Sequence, residues 1–186
     1  MTELMTKLIT GITKSYYDHN KKIILSEVFM INGKKEGEYK EYFQTGEIKC
    51  ICNYVNDKKF GVYIEYYANS IIKCICNFFD DKLTGEYKSY YQTEKIRNIC
   101  NYDNGKKNGE CKLYYPNGQL IYICNYDNGI KNGEYKTYYS NGQLKHIRTY
   151  IDGKKIGKYI VYCSNGEIKN IYKFVNNKRI KLKLNQ

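Results

Sequence analysis

A repeat of 24 residues runs through most of this chain and constrains its fold more than any other feature. A glycine recurs six times at that interval without a slip, and a tyrosine always follows it five residues later. Isoleucine or leucine and a closing aromatic residue recur at the same interval. Self-similarity of this kind is typical of one supersecondary unit repeated in space. The glycine column is Gly37, Gly61, Gly85, Gly109, Gly133 and Gly157, and the tyrosine column is Tyr42, Tyr66, Tyr90, Tyr114, Tyr138 and Tyr162.

The residues within one repeat predict a β-hairpin. Positions 109–115 (GECKLYY) alternate in polarity and are rich in aromatic residues, as a strand is. Positions 116–119 (PNGQ) predict a turn, positions 120–126 (LIYICNY) the return strand, and positions 127–129 (DNG) the turn into the next repeat. Apolar residues recur at a spacing of two and Gly or Asn interrupts them regularly, so a helix is excluded over most of the chain.

These hairpins resemble a known family. Segments such as YYPNGQLIYICNYDNGIKNGEYKTYYSNGQLK are similar to the variant class of MORN (membrane occupation and recognition nexus) repeats, through the patterns Y-Y-x-N-G-x-L and N-G-x-x-x-G. The resemblance implies an all-β fold, an elongated, single-layer, twisted antiparallel sheet of about seven stacked hairpins. Such repeats occur as interaction modules or membrane-associated modules. The chain departs from the pattern at Ser70 and Glu94, where the turn glycine is expected, and at Cys111 and Cys163 in aromatic columns.

The repeat also predicts how the 186 residues are organised. We expect an N-terminal cap or tail at 1–10 and a repeat array at 11–178, followed by a basic capping strand or tail at 179–186. Within the array, repeats begin near positions 11, 37, 61, 85, 109, 133 and 157. No run approaches the roughly 20 apolar residues of a membrane-spanning helix, so we expect no transmembrane segment.

Strand alternation places apolar side chains on both faces of the predicted sheet. A lone sheet would leave some of them in water, so we expect one face to bind a protein partner or a second copy of the chain. Cys52, Cys76, Cys100 and Cys124 fall on one face as a ladder, which we interpret as packing. Successive copies lie roughly 10 Å apart, too far for a direct disulfide. The tyrosine columns could also stack nucleic-acid bases, but no nucleic-acid-binding motif accompanies them.

Lysines recur at the turns on one side of the predicted sheet, whereas the opposite turns are nearly neutral. A row of lysines along one edge would attract a polyanion or an anionic membrane surface. The alternative is that these lysines serve solubility, since salt screens exposed charges. The candidate polyanion-binding edge comprises Lys34, Lys35, Lys58, Lys59, Lys82, Lys106, Lys107, Lys131, Lys154 and Lys155.

Residues suited to catalysis are scarce. His19 and His146 are the two histidines, and no phosphate-binding loop, nucleophile elbow or zinc-protease motif is present. Recurrent Glu–x–Lys sequences predict cross-strand charge pairs on a solvated face. The eight cysteines lack C-x-x-C spacing, so we expect thiols and no metal or other cofactor. An enzyme is therefore not expected.

The N-terminus and the composition bear on compartment. Positions 1–10 lack the apolar stretch and cleavage site of a secretory signal, so we expect an intracellular protein. The abundance of Lys, Ile, Asn and Tyr suggests an AT-rich genome, such as that of a low-GC bacterium or a large DNA virus.

Taken together, these patterns predict a non-enzymatic repeat scaffold that mediates protein–protein interaction or self-association through an extended sheet face. The alternative is peripheral binding of an anionic membrane or another polyanion along the lysine edge.

Overall fold

The computed structural model describes residues 10–175 and 178–183. These residues form 15 strands and no helix, and the strands make one antiparallel sheet whose order follows the sequence. This confirms the predicted all-β fold of hairpin repeats. Nothing in the described residues forms a helix able to cross a membrane. Of the predicted N-terminal cap only Thr10 is among the described residues, and positions 184–186 of the predicted C-terminal tail also lie outside them.

The chain divides into two compact units, Met1–Leu83 and Thr84–Gln186, which we call the N-terminal unit and the C-terminal unit. The boundary falls within strand β7, Lys82–Tyr90. The earlier strands are β1 Gly11–Tyr16, β2 Ile24–Ile31, β3 Lys34–Tyr42, β4 Ile48–Val55, β5 Lys58–Tyr66 and β6 Ile72–Phe79. The later strands are β8 Ile96–Asp103, β9 Lys106–Tyr114, β10 Leu120–Asp127, β11 Ile130–Tyr138, β12 Leu144–Ile151, β13 Lys154–Tyr162, β14 Ile168–Val175 and β15 Lys178–Leu182.

The strands of the full repeats are longer than the sequence predicts, because the turns between repeats are only two residues long. Asn56 and Asp57 both have positive φ, of 50° and 67°, as a type I′ hairpin turn requires. Asn104 and Gly105 repeat this geometry with φ of 48° and 78°. The lysines that the sequence places in turns therefore open the strands instead, as Lys106 opens β9.

The repeat glycine lies in a β-bulge. Between the pairs Cys100–Cys111 and Tyr102–Lys107, the β9 side contains two more residues than the β8 side. Gly109 falls in this stretch with φ of +84°, and a Cβ atom there would meet nothing within 4 Å. The column therefore requires glycine because of its left-handed backbone and not because of crowding.

The longer turn within each repeat keeps its geometry where the turn glycine is missing. In the C-terminal unit, the Glu94 amide donates to the Tyr91 carbonyl at 2.9 Å, as the Gly118 amide does to the Tyr115 carbonyl. Glu94 has φ of 62° and Ser70, in the N-terminal unit, has φ of 63°. These departures from the family pattern leave the turn intact but place ordinary residues in left-handed backbone.

A tyrosine hydroxyl ties successive repeats together within the C-terminal unit. The hydroxyl of Tyr139 donates to the Tyr162 carbonyl at 2.8 Å, and the hydroxyl of Tyr91 donates to the Tyr114 carbonyl at 2.6 Å. This bond gives the second residue of each Tyr-Tyr pair a structural role, because one repeat satisfies a backbone acceptor of the next.

Candidate functional site

The two faces of the sheet differ in composition within each unit. Directly opposite residues of an antiparallel pair share a face, so the register sorts the side chains. In the N-terminal unit, Tyr39 lies opposite Cys52 on one face, and Lys40 lies opposite Ile51 on the other. We call the first the cysteine face and the second the isoleucine face, and apply the same names in the C-terminal unit.

The cysteine face is covered by its own aromatic rings. In the N-terminal unit, Tyr39 and Tyr54 meet edge to face with centroids 5.5 Å apart, and Cys52 beside them is buried. In the C-terminal unit, Tyr122 stacks on Tyr135 at 5.6 Å and Cys124 is buried. Large rings leaning over small thiols thus form a thin core without a second layer, which leaves this face little exposed apolar surface.

Burial on this face shifts ionisable groups. The pKa of Tyr54 is raised to about 12, chiefly because burial disfavours the phenolate and then because of neighbouring Cys52. Burial likewise raises the pKa of the Cys52 thiol to about 11. Both groups are therefore neutral at physiological pH, as packing residues should be.

Half of the lysines of the predicted edge place their ammonium groups over aromatic rings of the cysteine face. The Lys59 ammonium lies 5.1 Å from the Tyr63 ring centroid, and the Lys131 ammonium lies 4.7 Å from that of Tyr135. Such cation–π contacts contribute roughly 0.5–1 kcal/mol at exposed sites. The lysines placed over rings in this way are Lys35 and Lys59 in the N-terminal unit and Lys107, Lys131 and Lys155 in the C-terminal unit.

The other lysines of the edge are exposed but stand among carboxylates. Lys58 forms an ion pair with Asp80, and Asp103 lies directly opposite Lys106. The carboxylate of Asp81 accepts a hydrogen bond from the Lys59 amide at 2.8 Å. The edge in each unit therefore carries charges of both signs, whereas the sequence pattern predicted a row of lysines. These other lysines are Lys34, Lys58 and Lys82 in the N-terminal unit and Lys106 and Lys154 in the C-terminal unit, and Lys155, which lies over a ring, is exposed as well.

The isoleucine face of the N-terminal unit carries a contiguous set of apolar side chains on three neighbouring strands. Phe60 and Phe79 have ring centroids 5.6 Å apart. The exposed fractions are 42% for Val55, 46% for Phe60, 49% for Val62 and 63% for Phe79. Beside them, Ile64 lies opposite Ile51 on one side and Ile75 on the other. We call the set Val55, Phe60, Val62, Ile64 and Phe79 the apolar patch.

The same positions in the C-terminal unit are polar. Glu134 and Lys136 form an ion pair at 2.7 Å where Val62 and Ile64 stand in the N-terminal unit, and Glu86 pairs with Lys88 at 2.6 Å. Lys112 pairs with Glu110 in the same way. The prediction of cross-strand pairs is wrong here, because each glutamate and lysine lie two residues apart on one strand and share its face.

The last strands of the C-terminal unit expose apolar residues without forming a comparable set. Ile151, Val175 and Ile180 are exposed. Lys158 and Lys173 lie directly opposite each other among these strands. Two like charges on this surface make it a poor apolar contact.

One expectation about the cysteines is wrong. Cys100 and Cys111 form a disulfide, whereas the cysteine spacing predicted thiols throughout. Equivalent cysteines are too far apart, as expected, but Cys111 stands in the column that otherwise holds tyrosine and lies directly opposite Cys100. The sequence contained a signal for this disulfide, because Cys111 departs from the tyrosine column. It also contained a signal for the apolar patch, because Val62 and Ile64 stand where other repeats have Glu–x–Lys.

The described His, Cys, Asp and Glu side chains do not gather into groups of three or more that could hold a metal ion. His146 packs against the Tyr159 ring at 5.6 Å. Its pKa is lowered by burial and then by the charges of Arg148 and Lys145.

Comparison with known proteins places these features in a family. The MORN repeat variant matches residues 35–56, 83–104, 107–128 and 131–152. The unmatched stretch 57–82 contains most of the apolar patch. No curated protein matches the chain.

Thirty chains of solved structures match. One, the crystal structure of the GtfA/B complex bound to UDP and GlcNAc, is 10% identical with a TM-score of 0.20; the alignment covers 75% of this chain and 22% of that one. The chain thus spans less than a quarter of that protein's length, and a similarity of this score carries no argument. Four matched repeats, together with the hairpins they correspond to, show that the chain belongs to the MORN repeat variant family.

Proposed function

We propose that this chain is a non-enzymatic interaction scaffold that binds a protein partner through the apolar patch of its N-terminal unit. Repeats of this family are generally associated with protein or membrane interaction scaffolds. The observation that carries the proposal is the clustering of exposed Val55, Phe60, Val62 and Phe79 on neighbouring strands. Contiguous apolar surface of this kind marks interaction sites more often than it serves a fold.

The fold itself does not need these residues. The repeats from Gly109 and Gly133 place Glu–x–Lys at the positions of Val62 and Ile64 and form the same strands with the same bulge. These apolar side chains are not required by the backbone and lower solubility. We therefore attribute them to contact with a binding partner.

The charge of the chain favours an acidic partner over a second copy. The net charge is +12, so two copies placed face to face would repel each other. Lys58 lines the same hollow as Phe60 and Phe79, together with its ion-pair partner Asp80. A partner that offers apolar side chains flanked by Asp or Glu would contact the exposed rings and add a carboxylate beside Lys58, in keeping with the positive net charge of the chain.

A peptide titration tests this proposal. The probe is a short fluorescent peptide in which Glu alternates with Phe and Val, and binding is followed by fluorescence anisotropy and by amide chemical shifts of the protein. We expect saturable binding with shifts confined to β4, β5 and β6. Sedimentation of the free protein should show a monomer, and a concentration-dependent dimer that blocks the peptide would identify a second copy as the occupant instead.

Two control peptides separate the apolar and charged contributions. Replacing Glu with Lys should abolish binding, because the peptide then shares the sign of the protein. Replacing Phe and Val with Ser should weaken binding strongly. Equal binding of the Ser peptide would contradict the proposal, since charge alone would then suffice.

Peripheral binding to an anionic membrane is the second candidate, supported by the exposed Lys106 and Lys154 of the C-terminal unit. Co-flotation with neutral and anionic liposomes at low and near-physiological salt tests it. Binding that requires anionic lipid and weakens with salt would support this function. Charge reversal at Lys106, Lys107, Lys131, Lys154 and Lys155 should abolish that flotation, and indifference to the reversal would exclude the lysine edge.

A further inference from the structure

We propose that Cys100, Cys111 and Cys124 form a thiol–disulfide exchange site in which Cys111 is the shared member, bonded to Cys100 in one state and to Cys124 in the other. The site lies in the C-terminal unit and does not depend on the proposed function. Its basis is the register of three neighbouring strands.

The register aligns the three cysteines across the sheet. Cys111 on β9 lies directly opposite Cys100 on β8 and directly opposite Cys124 on β10. Directly opposite residues of antiparallel strands have Cα atoms about 4.5–5.5 Å apart, which is within the range that disulfides span. Cys111 can therefore bond to either neighbour, whereas Cys100 and Cys124 are two strands apart and cannot bond to each other.

The observed bonding leaves one nucleophile beside the disulfide. Cys100 and Cys111 are joined, and Cys124 is a buried free thiol in the same cluster. The Cys124 thiolate would attack the Cys111 sulfur from the side opposite Cys100, the in-line arrangement that exchange requires. The Cys111–Cys124 bond forms, the Cys100–Cys111 bond breaks, and the Cys100 thiolate takes up the proton that Cys124 released. The number of disulfides is unchanged, so no external oxidant takes part.

Among the described residues, the other cysteines lack this arrangement. Cys52 and Cys76 each lie opposite a tyrosine, Tyr39 and Tyr63 respectively. Cys50 lies opposite Glu41 and Glu65. Cys111 alone brings a thiol into the tyrosine column, and that one substitution places three cysteines on consecutive strands.

The cluster is closed to solvent. Cys100, Cys111 and Cys124 are exposed by 0%, 1% and 2%, with Tyr102, Tyr122, Tyr126 and Tyr135 packed against them. A protein reductant cannot reach the sulfurs without opening of the sheet, whereas exchange within the cluster needs no access. The consequence is that the covalent link moves between the β8–β9 pair, which joins two successive repeats, and the β9–β10 pair within one repeat.

Protonation sets the rate of exchange. Burial raises the pKa of the Cys124 thiol, opposed by a hydrogen bond with Tyr126 and by the charges of Lys131 and Lys107. Tyr122 and Tyr135 also face the cluster. Below a raised pKa the thiolate fraction grows about tenfold per pH unit, so exchange should accelerate by that factor from neutral to mildly alkaline pH.

Tryptic mapping tests the proposal on the full chain. Each cysteine falls in its own tryptic peptide, 98–106, 108–112 and 113–131. The folded, oxidised protein is incubated at neutral and at mildly alkaline pH, quenched with acid, alkylated, digested and examined by mass spectrometry. We expect two linked pairs, 98–106 with 108–112 and 108–112 with 113–131, the second appearing about tenfold faster per pH unit.

Three variants make the result decisive. Cys124→Ser should give only the first pair, Cys100→Ser only the second, and Cys111→Tyr, which restores the tyrosine of the column, neither. Absence of the second pair from the folded wild type at both pH values would overturn the proposal, even if Cys100→Ser forms it. A link between 98–106 and 113–131 would overturn it as well, because only unfolded chains could scramble in that way.

Discussion

Two repeats share their strands and bulge but differ in surface chemistry: the one beginning at Gly61, in the N-terminal unit, and the one beginning at Gly109, in the C-terminal unit. The exposed surface of the first is apolar, and that of the second is charged. Phe60, Val62 and Ile64 stand where Asn108, Glu110 and Lys112 stand in the later repeat. The cysteine faces of both repeats are covered by aromatic rings, although Cys111 stands in the later repeat where Tyr63 stands in the earlier one. The contrast between apolar and charged exposed side chains lies on the isoleucine face.

This difference separates the residues that specify the fold from the residues free to specify binding. The bulge glycine, the type I′ turn and the roof of aromatic rings occur in both repeats. The isoleucine face tolerates either ion pairs or exposed phenylalanines, so its chemistry is available for function. The repeat beginning at Gly61 carries Val62, Ile64 and Phe79 of the apolar patch, and these residues fall outside the segments that match the family.

The largest effect is expected from converting the apolar patch to the surface of the later repeat. The variant V55D/F60N/V62E/I64K/F79D copies Asp103, Asn108, Glu110, Lys112 and Asp127 into the N-terminal unit. Peptide affinity should fall at least tenfold, or about 1.4 kcal/mol. Stability should change little, because the same backbone already holds these side chains. Retained affinity, measured by anisotropy, would show that the patch is not the binding surface.

Alkaline pH should weaken the N-terminal unit through Tyr54. Its pKa is raised to about 12 by burial, so the fold favours the neutral phenol over the unfolded value of about 10. This contribution to stability is complete below about pH 10 and is lost as pH rises towards about 12. Phe78 occupies the same column in the next repeat and cannot ionise. Urea unfolding of Tyr54→Phe should therefore show a smaller loss of stability across this range than wild type; identical pH profiles would refute the assignment.

The hydroxyl bond between repeats should be worth about 1 kcal/mol. Tyr139→Phe removes the 2.8 Å bond to the Tyr162 carbonyl in the C-terminal unit. Phe43 stands at the equivalent position of the N-terminal unit and has no hydroxyl. We expect Tyr139→Phe to destabilise and Phe43→Tyr to stabilise, both measured by urea unfolding. A neutral Tyr139→Phe would mean that water replaces the bond.

The smallest effect is expected at the turns. Glu94 adopts a left-handed backbone that costs an ordinary residue about 1–2 kcal/mol. Glycine relieves this cost but gains entropy in the unfolded chain, so Glu94→Gly should stabilise by about 0.5 kcal/mol net. Gly118→Glu, the matched reversal, should destabilise. Thermal melts that shift in the opposite directions would show that the turn is not strained.

The sequence predicted the fold because the repeat is periodic at every level. Column glycines, turn residues and strand alternation all favour the same hairpin, so the register could be expected from the Gly109 repeat alone. The start of the first strand in the Gly109 repeat was predicted too late, at Gly109 instead of Lys106, because the glycine was taken as the start of the strand whereas it lies in a bulge within it.

The site was less predictable because it arises from departures in the repeat. From the sequence alone, Val62 and Ile64 are residues with high β propensity. Only the register shows that Phe60 and Phe79 lie beside them on the same face. Likewise Cys111 reads as an odd member of an aromatic column until the paired strands bring it against Cys100 and Cys124. The sequence pattern predicted both lysines of each pair at one edge of the sheet, but strand alternation places the Lys59 ammonium over the Tyr63 ring.

Transplanting the apolar patch tests the account most directly. The variant D103V/N108F/E110V/K112I/D127F builds the patch into the repeat from Gly109, in a chain that keeps the original. Isothermal titration with the Glu–Phe/Val peptide should then show two binding sites per chain where wild type shows one. An unchanged stoichiometry in the folded variant would contradict the claim that these five side chains are what binds.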